Sequence, residues 1–263
     1  MADLDTTARN AKRFADLHKA GDPLLLFNCW DVVTAKAAAK ISPAIATGSA
    51  AVAFAQGYDD GQKIPLDYVM KLTKAMVDAV DCPVSVDFEA GYADSVNQLK
   101  VNVSRLIENG VVGINYEDSL ANGKRGMVDI LENTKRIEAI REAADKLGVA
   151  LFINARTDAY LLNIGDAATC LSQTLERARH YQDAGASGIF VPFLNDRDQI
   201  GEIADTITLP LNVLGGSKAP SVAELSELGV ARISLGGWPM EVALKAFSES
   251  AKAFTENGKY PDT

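Results

Sequence analysis

Short apolar runs alternate with stretches of helical spacing along almost the whole chain. Residues 3–20 carry Phe14 and Leu17 on one face and predict a leading amphipathic helix. The unbroken run over 23–28 (PLLLFN) predicts a strand buried on both faces. Alanine-rich 35–41 reads as helix and 44–47 as a second strand. Val69, Leu72, Met76, Val77 and Val80 recur at helical spacing over 66–80. A strand over 83–88 follows, then a helix over 95–109 closed by Gly110. The rhythm continues with strands over 112–117, 151–156, 188–192, 209–214 and 231–235. Helices over 130–147, 168–184, 200–207, 222–228 and 241–254 follow them in turn. No linker rich in Pro, Gly or Ser divides these units, so residues 1–263 are expected to form one domain.

Repeated strand–helix units fit either an open doubly wound sheet or a closed (β/α)8 barrel. Eight units in 263 residues favour an α/β protein of the TIM-type barrel class with a leading N-terminal helix. No strand is followed by the GxGxxG of dinucleotide-binding sheets. The net charge of −9 makes nucleic acid and anionic membrane surfaces poor partners. The most apolar stretch, residues 37–56, carries Lys40, Ser42, Pro43, Thr47 and Ser49 and predicts no membrane span. With no secretory leader evident and Cys29, Cys82 and Cys170 in no CxxC pair, a cytoplasmic location is expected. Only two histidines occur, His18 and His180, which works against a zinc hydrolase or a serine triad, and both are expected on helices away from the mouth.

In such a barrel the chemistry sits where strands end. The first strand ends in Asn28-Cys29-Trp30-Asp31, and the second leads into Gly48-Ser49-Ala50 and a long loop holding Asp60. The third ends in Asp87-Phe88-Glu89, the fourth in Glu117-Asp118 and the fifth in Arg156-Thr157-Asp158. So many carboxylates at one mouth raise one another's pKa unless a cation joins them. Oxygen ligands without histidine or cysteine suit Mg²⁺, with Mn²⁺ possible. Arg156 is either a structural ion pair or a bidentate grip for a substrate carboxylate or phosphonate. The small residues at Gly48-Ser49-Ala50 offer backbone N–H groups to an anion. Trp30 reads as core or pocket wall. Cys29, with no histidine near it, reads as a packed small residue.

Taken together, FNCWD at 27–31, Gly48-Ser49, SVDFEAGY at 85–92, YED at 116–118 and ARTDA at 155–159 resemble the isocitrate lyase/phosphoenolpyruvate mutase superfamily over about residues 10–250. The resemblance implies a Mg²⁺-dependent lyase that makes or breaks a bond at carbon 3 of a small 2-oxo or 2-hydroxy dicarboxylic acid through an enolate. It assigns Asp87, Glu89, Glu117 and Asp60 to the metal, mostly through its waters. Arg156, Glu117 and Asp60 become the candidate catalytic residues. Ser49, Ala50, Trp30, Asn212, Lys124 and Arg156 become the candidate substrate contacts.

The resemblance also sets limits. Family members that cleave isocitrate or methylisocitrate carry K-[KR]-C-G-H after the fourth strand, where this chain has SLANGKRG at 119–126. Phosphonate-acting members carry lysine where this chain has Ser119. The bond broken is therefore expected to be C2–C3, by retro-aldol cleavage, or C3–carboxylate, by decarboxylation, and oxaloacetate-like substrates fit a site without that cysteine. Phosphonopyruvate hydrolysis or mutase chemistry and a non-catalytic keto-acid binder are the alternatives. Family enzymes also assemble, so a homodimer or homotetramer is expected. The short tail after the final helix leaves helix exchange between subunits open.

Overall fold

A computed structural model describes residues 3–120 and 126–260. Helix α1 (Leu4–Asp16) is capped by the Asp3 carboxylate, which accepts from the backbone N–H groups of Asp5 and Thr6. Eight parallel strands follow: β1 (Leu24–Leu26), β2 (Ile45–Ala46), β3 (Val84–Asp87), β4 (Gly113–Glu117), β5 (Phe152–Arg156), β6 (Gly188–Val191), β7 (Leu211–Leu214) and β8 (Arg232–Ser234). Between them run α2 (Val32–Ala38), α3 (Ser49–Phe54), α4 (Leu66–Ala79), α5 (Val96–Glu108), α6 (Ile130–Lys146), α7 (Ala159–Leu162), α8 (Ala167–Asp183), α9 (Arg197–Thr206) and α10 (Val222–Glu227). The last helix, α11 (Trp238–Asn257), follows β8.

The strands pair in the order β1-β8-β7-β6-β5-β4-β3-β2, every ladder parallel. A single bridge between Cys29 and Thr47 closes the ring. There Cys29 N donates to Ala46 O at 2.8 Å and Gly48 N to Cys29 O at 3.3 Å. The Asn28 side chain stitches the same seam. Its amide donates to Thr47 O at 2.8 Å, and its carbonyl accepts from Leu235 N at 2.8 Å and Gly236 N at 3.0 Å. A β-carbon on Gly48 would stand 2.8 Å from Gly236 O, so only glycine lets β2 and β8 end this close together.

The N-terminal end of the barrel is plugged from below. Register sets Gly113 beside Phe152 and Asn154 beside Gly188. Phe14, from α1, meets the Phe152 ring edge-on with centroids 5.5 Å apart. His18 stacks on the Phe152 ring at 3.9 Å and meets Phe14 edge-on at 4.8 Å, so the three rings form one cluster. Burial, reinforced by the charge of Arg232, pushes His18 down to about 3, so it stays neutral. Its Nδ1 lies 2.8 Å from Phe14 O. The leading helix is thus shorter than the predicted 3–20. It stops at Asp16, and the chain turns so that His18 fills the barrel floor instead of riding a helix.

Two short helices, α3 and α7, stand where loops were expected. The last helix starts at Trp238 rather than 241, with Pro239 in its first turn, where a missing N–H costs nothing. Among the described residues, no helix is long and apolar enough to cross a membrane.

The plug yields a test. A β-carbon on Gly113 would lie 2.7 Å from the Phe14 ring and 3.1 Å from Ser85 Oγ. Gly113→Ala is expected to lower stability by about 1–3 kcal/mol, the usual cost of overpacking. Urea denaturation measures it, and an unchanged midpoint would show that the floor is loosely packed.

Candidate active site

Asp87 closes β3 at the C-terminal mouth and is anchored from three directions. Its Oδ2 accepts from Ser49 N at 3.0 Å and Ser49 Oγ at 2.7 Å. Its Oδ1 accepts from the Asn115 amide at 3.4 Å. The backbone N–H groups expected to cradle a ligand at Gly48-Ser49-Ala50 therefore include one, that of Ser49, already given to Asp87. Asp60, Asp87, Asn115, Arg156, Ser49 and Ala50 all line one cavity of about 420 Å³.

Glu89 sits just behind this cavity, buried and held by strained backbone. Gln62, Glu89 and Tyr92 all adopt left-handed conformations (φ 61°, 50° and 53°). They bond to one another. Gln62 N donates to Glu89 Oε2 at 2.6 Å, Tyr92 OH to Glu89 Oε1 at 2.6 Å, and Tyr92 N to Gln62 Oε1 at 2.5 Å. Both Glu89 oxygens are therefore engaged within this triad.

Arg156, at the end of β5, forks between two acids. Its Nη1 lies 2.8 Å from Glu117 Oε2. Its Nε and Nη2 donate to Asp158 at 2.6 and 2.9 Å. The guanidinium carbon also stands 5.9 Å from the Phe190 ring centroid. Behind this pair lies a second, fully enclosed layer. Asp158 N donates to Asp118 Oδ1 at 2.9 Å, and Asp118 Oδ2 accepts from Tyr181 OH at 2.8 Å and Arg177 Nη1 at 3.2 Å. Asp118, half of the Glu-Asp pair read from sequence, thus ties the mouth to α8.

The electrostatics follow from crowding. Burial pushes Glu89 up to about 7, with Asp87 and Asp60 adding to the rise against the Tyr92 hydroxyl. Burial likewise raises Glu117, helped by Asp158, Asp87 and Glu89 and opposed by Arg156. Asp60 is raised by partial desolvation and then by Asp87. Burial works against the charge on Arg156, but Glu117, Asp158 and Asp87 more than offset it and hold the guanidinium protonated. Such a set carries more negative charge than its one arginine balances, and its donors are all oxygen. That composition fits a hard divalent cation. Among the described residues, no three acidic, histidine or cysteine side chains close on a single ion directly. The fit is therefore to an ion that keeps several of its waters, as Mg²⁺ does.

Not every predicted contact reaches the cavity. Trp30 packs beside Val52, Ala53, Ile64 and Val69 and does not line it. Asn212 is buried one layer down, where its side chain exchanges hydrogen bonds with Ser234 Oγ at 3.4 Å. Lys124 lies outside the described residues. Cys29 is buried, and burial pushes its thiol up to about 12, as befits a packed residue.

Sequence reading missed Asn115, Asn154 and Arg232, which point into the barrel beneath Asp87. Asn115 Oδ1 accepts from Asn154 Nδ2 at 2.9 Å and Arg232 Nη2 at 3.3 Å, which turns its amide toward Asp87. Polar residues at alternate positions of β4, β5 and β8 were the available signal.

A family model described as phosphoenolpyruvate phosphomutase matches residues 14–255. An uncharacterized protein of Mycobacterium tuberculosis (strain ATCC 25618 / H37Rv) is 36% identical over 94% of this chain and 91% of its own length. An oxaloacetate decarboxylase of Rhodopseudomonas palustris (strain BisA53) is 31% identical over 81% of this chain and 73% of its own. A crystal structure from Burkholderia cenocepacia J2315, described as a candidate phosphonomutase, superposes with a TM-score of 0.90 at 40% identity. It covers 93% of this chain and 99% of that one. At the level of fold alone, a phosphonopyruvate hydrolase complexed with oxalate and Mg²⁺ superposes at 0.83 with 18% identity, covering 95% of this chain and 88% of that one.

The raised Glu89 carries a pH signature. Its folded-state value of about 7 lies above its ordinary 4.5, so the folded protein holds the proton more tightly than the unfolded chain. That contribution to stability is complete below about 4.5 and is lost as pH rises to about 7. In EDTA-treated protein, this term is expected to lower Tm between pH 5 and 8 by more in the parent than in Glu89→Gln. Equal slopes in calorimetry would mean that Glu89 titrates normally.

Proposed function

The chain belongs to the isocitrate lyase/phosphoenolpyruvate mutase superfamily, and on that premise we propose that it is a Mg²⁺-dependent carbon–carbon lyase that decarboxylates a small 2-oxo acid at carbon 3. The observation that carries the reading is the convergence of Asp60, Asp87 and Glu117 with Arg156 at one mouth, with Glu89 directly behind. Relatives that include oxaloacetate decarboxylases support the direction of the chemistry.

Asp87, Asp60, Glu117 and Glu89 would hold the cation mostly through its waters, because the Asp87 and Glu89 oxygens already have partners within the protein. When bound, the ion supplies Lewis acidity that stabilises charge developing on the substrate's keto oxygen. The chain's own residues do the rest. Ser49 and Asn115 fix the Asp87 carboxylate in one orientation. Asp158 and Glu117 hold the Arg156 fork rigid, so the guanidinium meets the enolate oxygen already aligned. The C3–carboxylate bond breaks, its electron pair moves into the C2–C3 enolate, and CO₂ leaves. A proton from solvent then reaches carbon 3. This sequence needs no protein acid aimed at carbon, in keeping with a 119–126 loop that has neither cysteine nor histidine. Ser119 hydrogen-bonds to Asp158, occupying the place of the phosphonate-family lysine with a short neutral side chain.

The assembly follows from α11. Past Met240 this helix lies open, with Leu244 56%, Phe247 73% and Phe254 50% exposed on one stripe. The outer wall of the same chain carries an apolar groove of about 600 Å³ lined by Leu25, Phe27, Ile41, Pro43, Val222 and Ile233, over the β1–β8 seam. A helix and a groove left bare in one chain are complementary across two, so α11 is read as docking into the groove of a second copy.

Two outcomes test these readings. Turnover of oxaloacetate-type substrates is expected to vanish in excess EDTA and return with Mg²⁺ or Mn²⁺. Asp87→Ala is expected to lower kcat/KM by more than about 10²-fold with an unchanged circular dichroism spectrum. Full activity in EDTA, or a near-native Asp87→Ala rate, defeats the proposal. Light scattering is expected to report a dimer or larger assembly that Phe247→Glu dissociates. A monomeric parent protein would exclude the helix exchange.

A further inference from the structure

The mouth cavity has two unlike halves. The side built by β2 to β5 holds the polar groups Ser49, Asp60, Asp87, Asn115 and Arg156, with Ala50, Ala51, Phe54 and Leu161 at its edge. The side built after β6, β7 and β8 is apolar, formed by Phe190, Pro192, Phe193, Leu214, Trp238 and Met240. Among the described residues lining the cavity, Arg156 is the one cation, and its fork is taken by Glu117 and Asp158. The charged group on the apolar side is Glu241, a carboxylate that would repel an acid group placed on that side and so keep the substrate's carboxylates beside Arg156.

The apolar wall is built, not incidental. Phe193 holds a left-handed backbone (φ 62°), a conformation that a bulky residue keeps only under constraint from its surroundings. Trp238 lies against Gly216, where a β-carbon would stand 3.2 Å from the indole nitrogen, so the missing side chain makes room for the ring. Pro192 and Met240 are buried, which places apolar surface in the depth of the cavity as well as at its rim. A volume near 420 Å³ is in the range that buries a drug-sized ligand, more than a four-carbon acid fills.

We propose that the substrate is a 2-oxo acid bearing an apolar alkyl or aryl group on carbon 3, seated against Phe190, Phe193, Leu214 and Trp238 while its keto-acid end faces Asp87 and Arg156. This rests on the lyase reading above and deepens it. The reaction keeps its balance: the substrate also carries a carboxylate on carbon 3, the C3–carboxylate bond breaks, CO₂ leaves, a proton from solvent takes its place on carbon 3, and the product is a 2-oxo acid that keeps the apolar substituent. Burying the substituent supplies binding that oxaloacetate itself cannot obtain from this wall.

The test is titration calorimetry on the full-length protein with Mg²⁺. Oxalate serves as the probe of the keto-acid end. Pyruvate, 2-oxobutanoate, 2-oxopentanoate and phenylpyruvate serve as a series in the carbon-3 substituent. Oxalate is expected to bind, and Kd along the aliphatic series to fall about fourfold per methylene, the equivalent of about 0.8 kcal/mol each. Phenylpyruvate is expected to bind more tightly than pyruvate. Phe193→Ala is expected to flatten the series while oxalate still binds. If oxalate binds but pyruvate binds as tightly as the longer acids, the apolar-substituent proposal is overturned and the lyase reading stands. If oxalate does not bind with Mg²⁺, the lyase reading fails and this proposal fails with it.

Discussion

Arg156 forks between Glu117 and Asp158 in a mouth where carboxylates outnumber cations, and much of the architecture serves to hold that imbalance in place. Asp158 is fully enclosed, and its carboxylate oxygens are satisfied by the Arg156 fork and the Ser119 hydroxyl. Its backbone is fixed by Asp118, which is in turn satisfied by Tyr181 and Arg177 on α8. The chain of partners thus runs from the cavity through two buried acids to an outer helix. Removing any member would leave a buried charge without compensation, which is far more costly than the intact pair is stabilising.

A second unbalanced charge lies beneath the first. Arg232 is buried in the barrel interior with its Nε and Nη1 unpartnered among the described residues. Burial lowers its pKa to about 10, well above neutrality, so it stays charged. A lone buried guanidinium costs several kcal/mol that an apolar residue of similar volume would not. The position of that charge gives it a use. Through Asn115 it fixes the amide that faces Asp87, and it is a positive charge below a cluster of acids. The barrel floor below, closed by Phe14, His18 and Phe152, supplies packing that offsets such a burden.

The eight strands and their order along the chain were legible in the sequence because each is a short apolar run, and strands buried on both faces need little else. The ends of those strands were legible too, since acids and an arginine stand out against Val, Ile and Ala. Helices α3 and α7 escaped because six and four residues hold less than two turns, too few for a period to register. Trp30 is ambiguous in any sequence: an aromatic beside a strand end packs equally well under a loop or against a ligand. Asn115, Asn154 and Arg232 escaped for the opposite reason. Polar residues inside a strand normally face solvent, and only barrel closure turns their face inward. The sequence predicts a helix over 241–254 but not that its apolar stripe lies open, because periodicity records that a face is apolar and not which surface covers it.

The same closure explains why the charged residues and the aromatic wall gather on different arcs of one rim. Acids contributed by β2, β3 and β4 repel one another and are tolerable only where cations can reach them, so they gather beside Arg156 on β5. Strands β6 to β8 carry no such obligation and end in Phe190, Leu214 and the Gly236-Gly237 turn that leads into Trp238. Because the seam between β1 and β2 is held by one bridge and the Asn28 side chain, the apolar arc and Ser49 meet across Gly48 and Gly236. A change in the wall therefore alters what can be seated beside the acids without touching the residues that hold them. A β-carbon at Gly48 would move both arcs at once. The charge-bearing arc is constrained by electrostatics and the other by packing, and that difference in constraint leaves the second arc freer to change without disturbing the first.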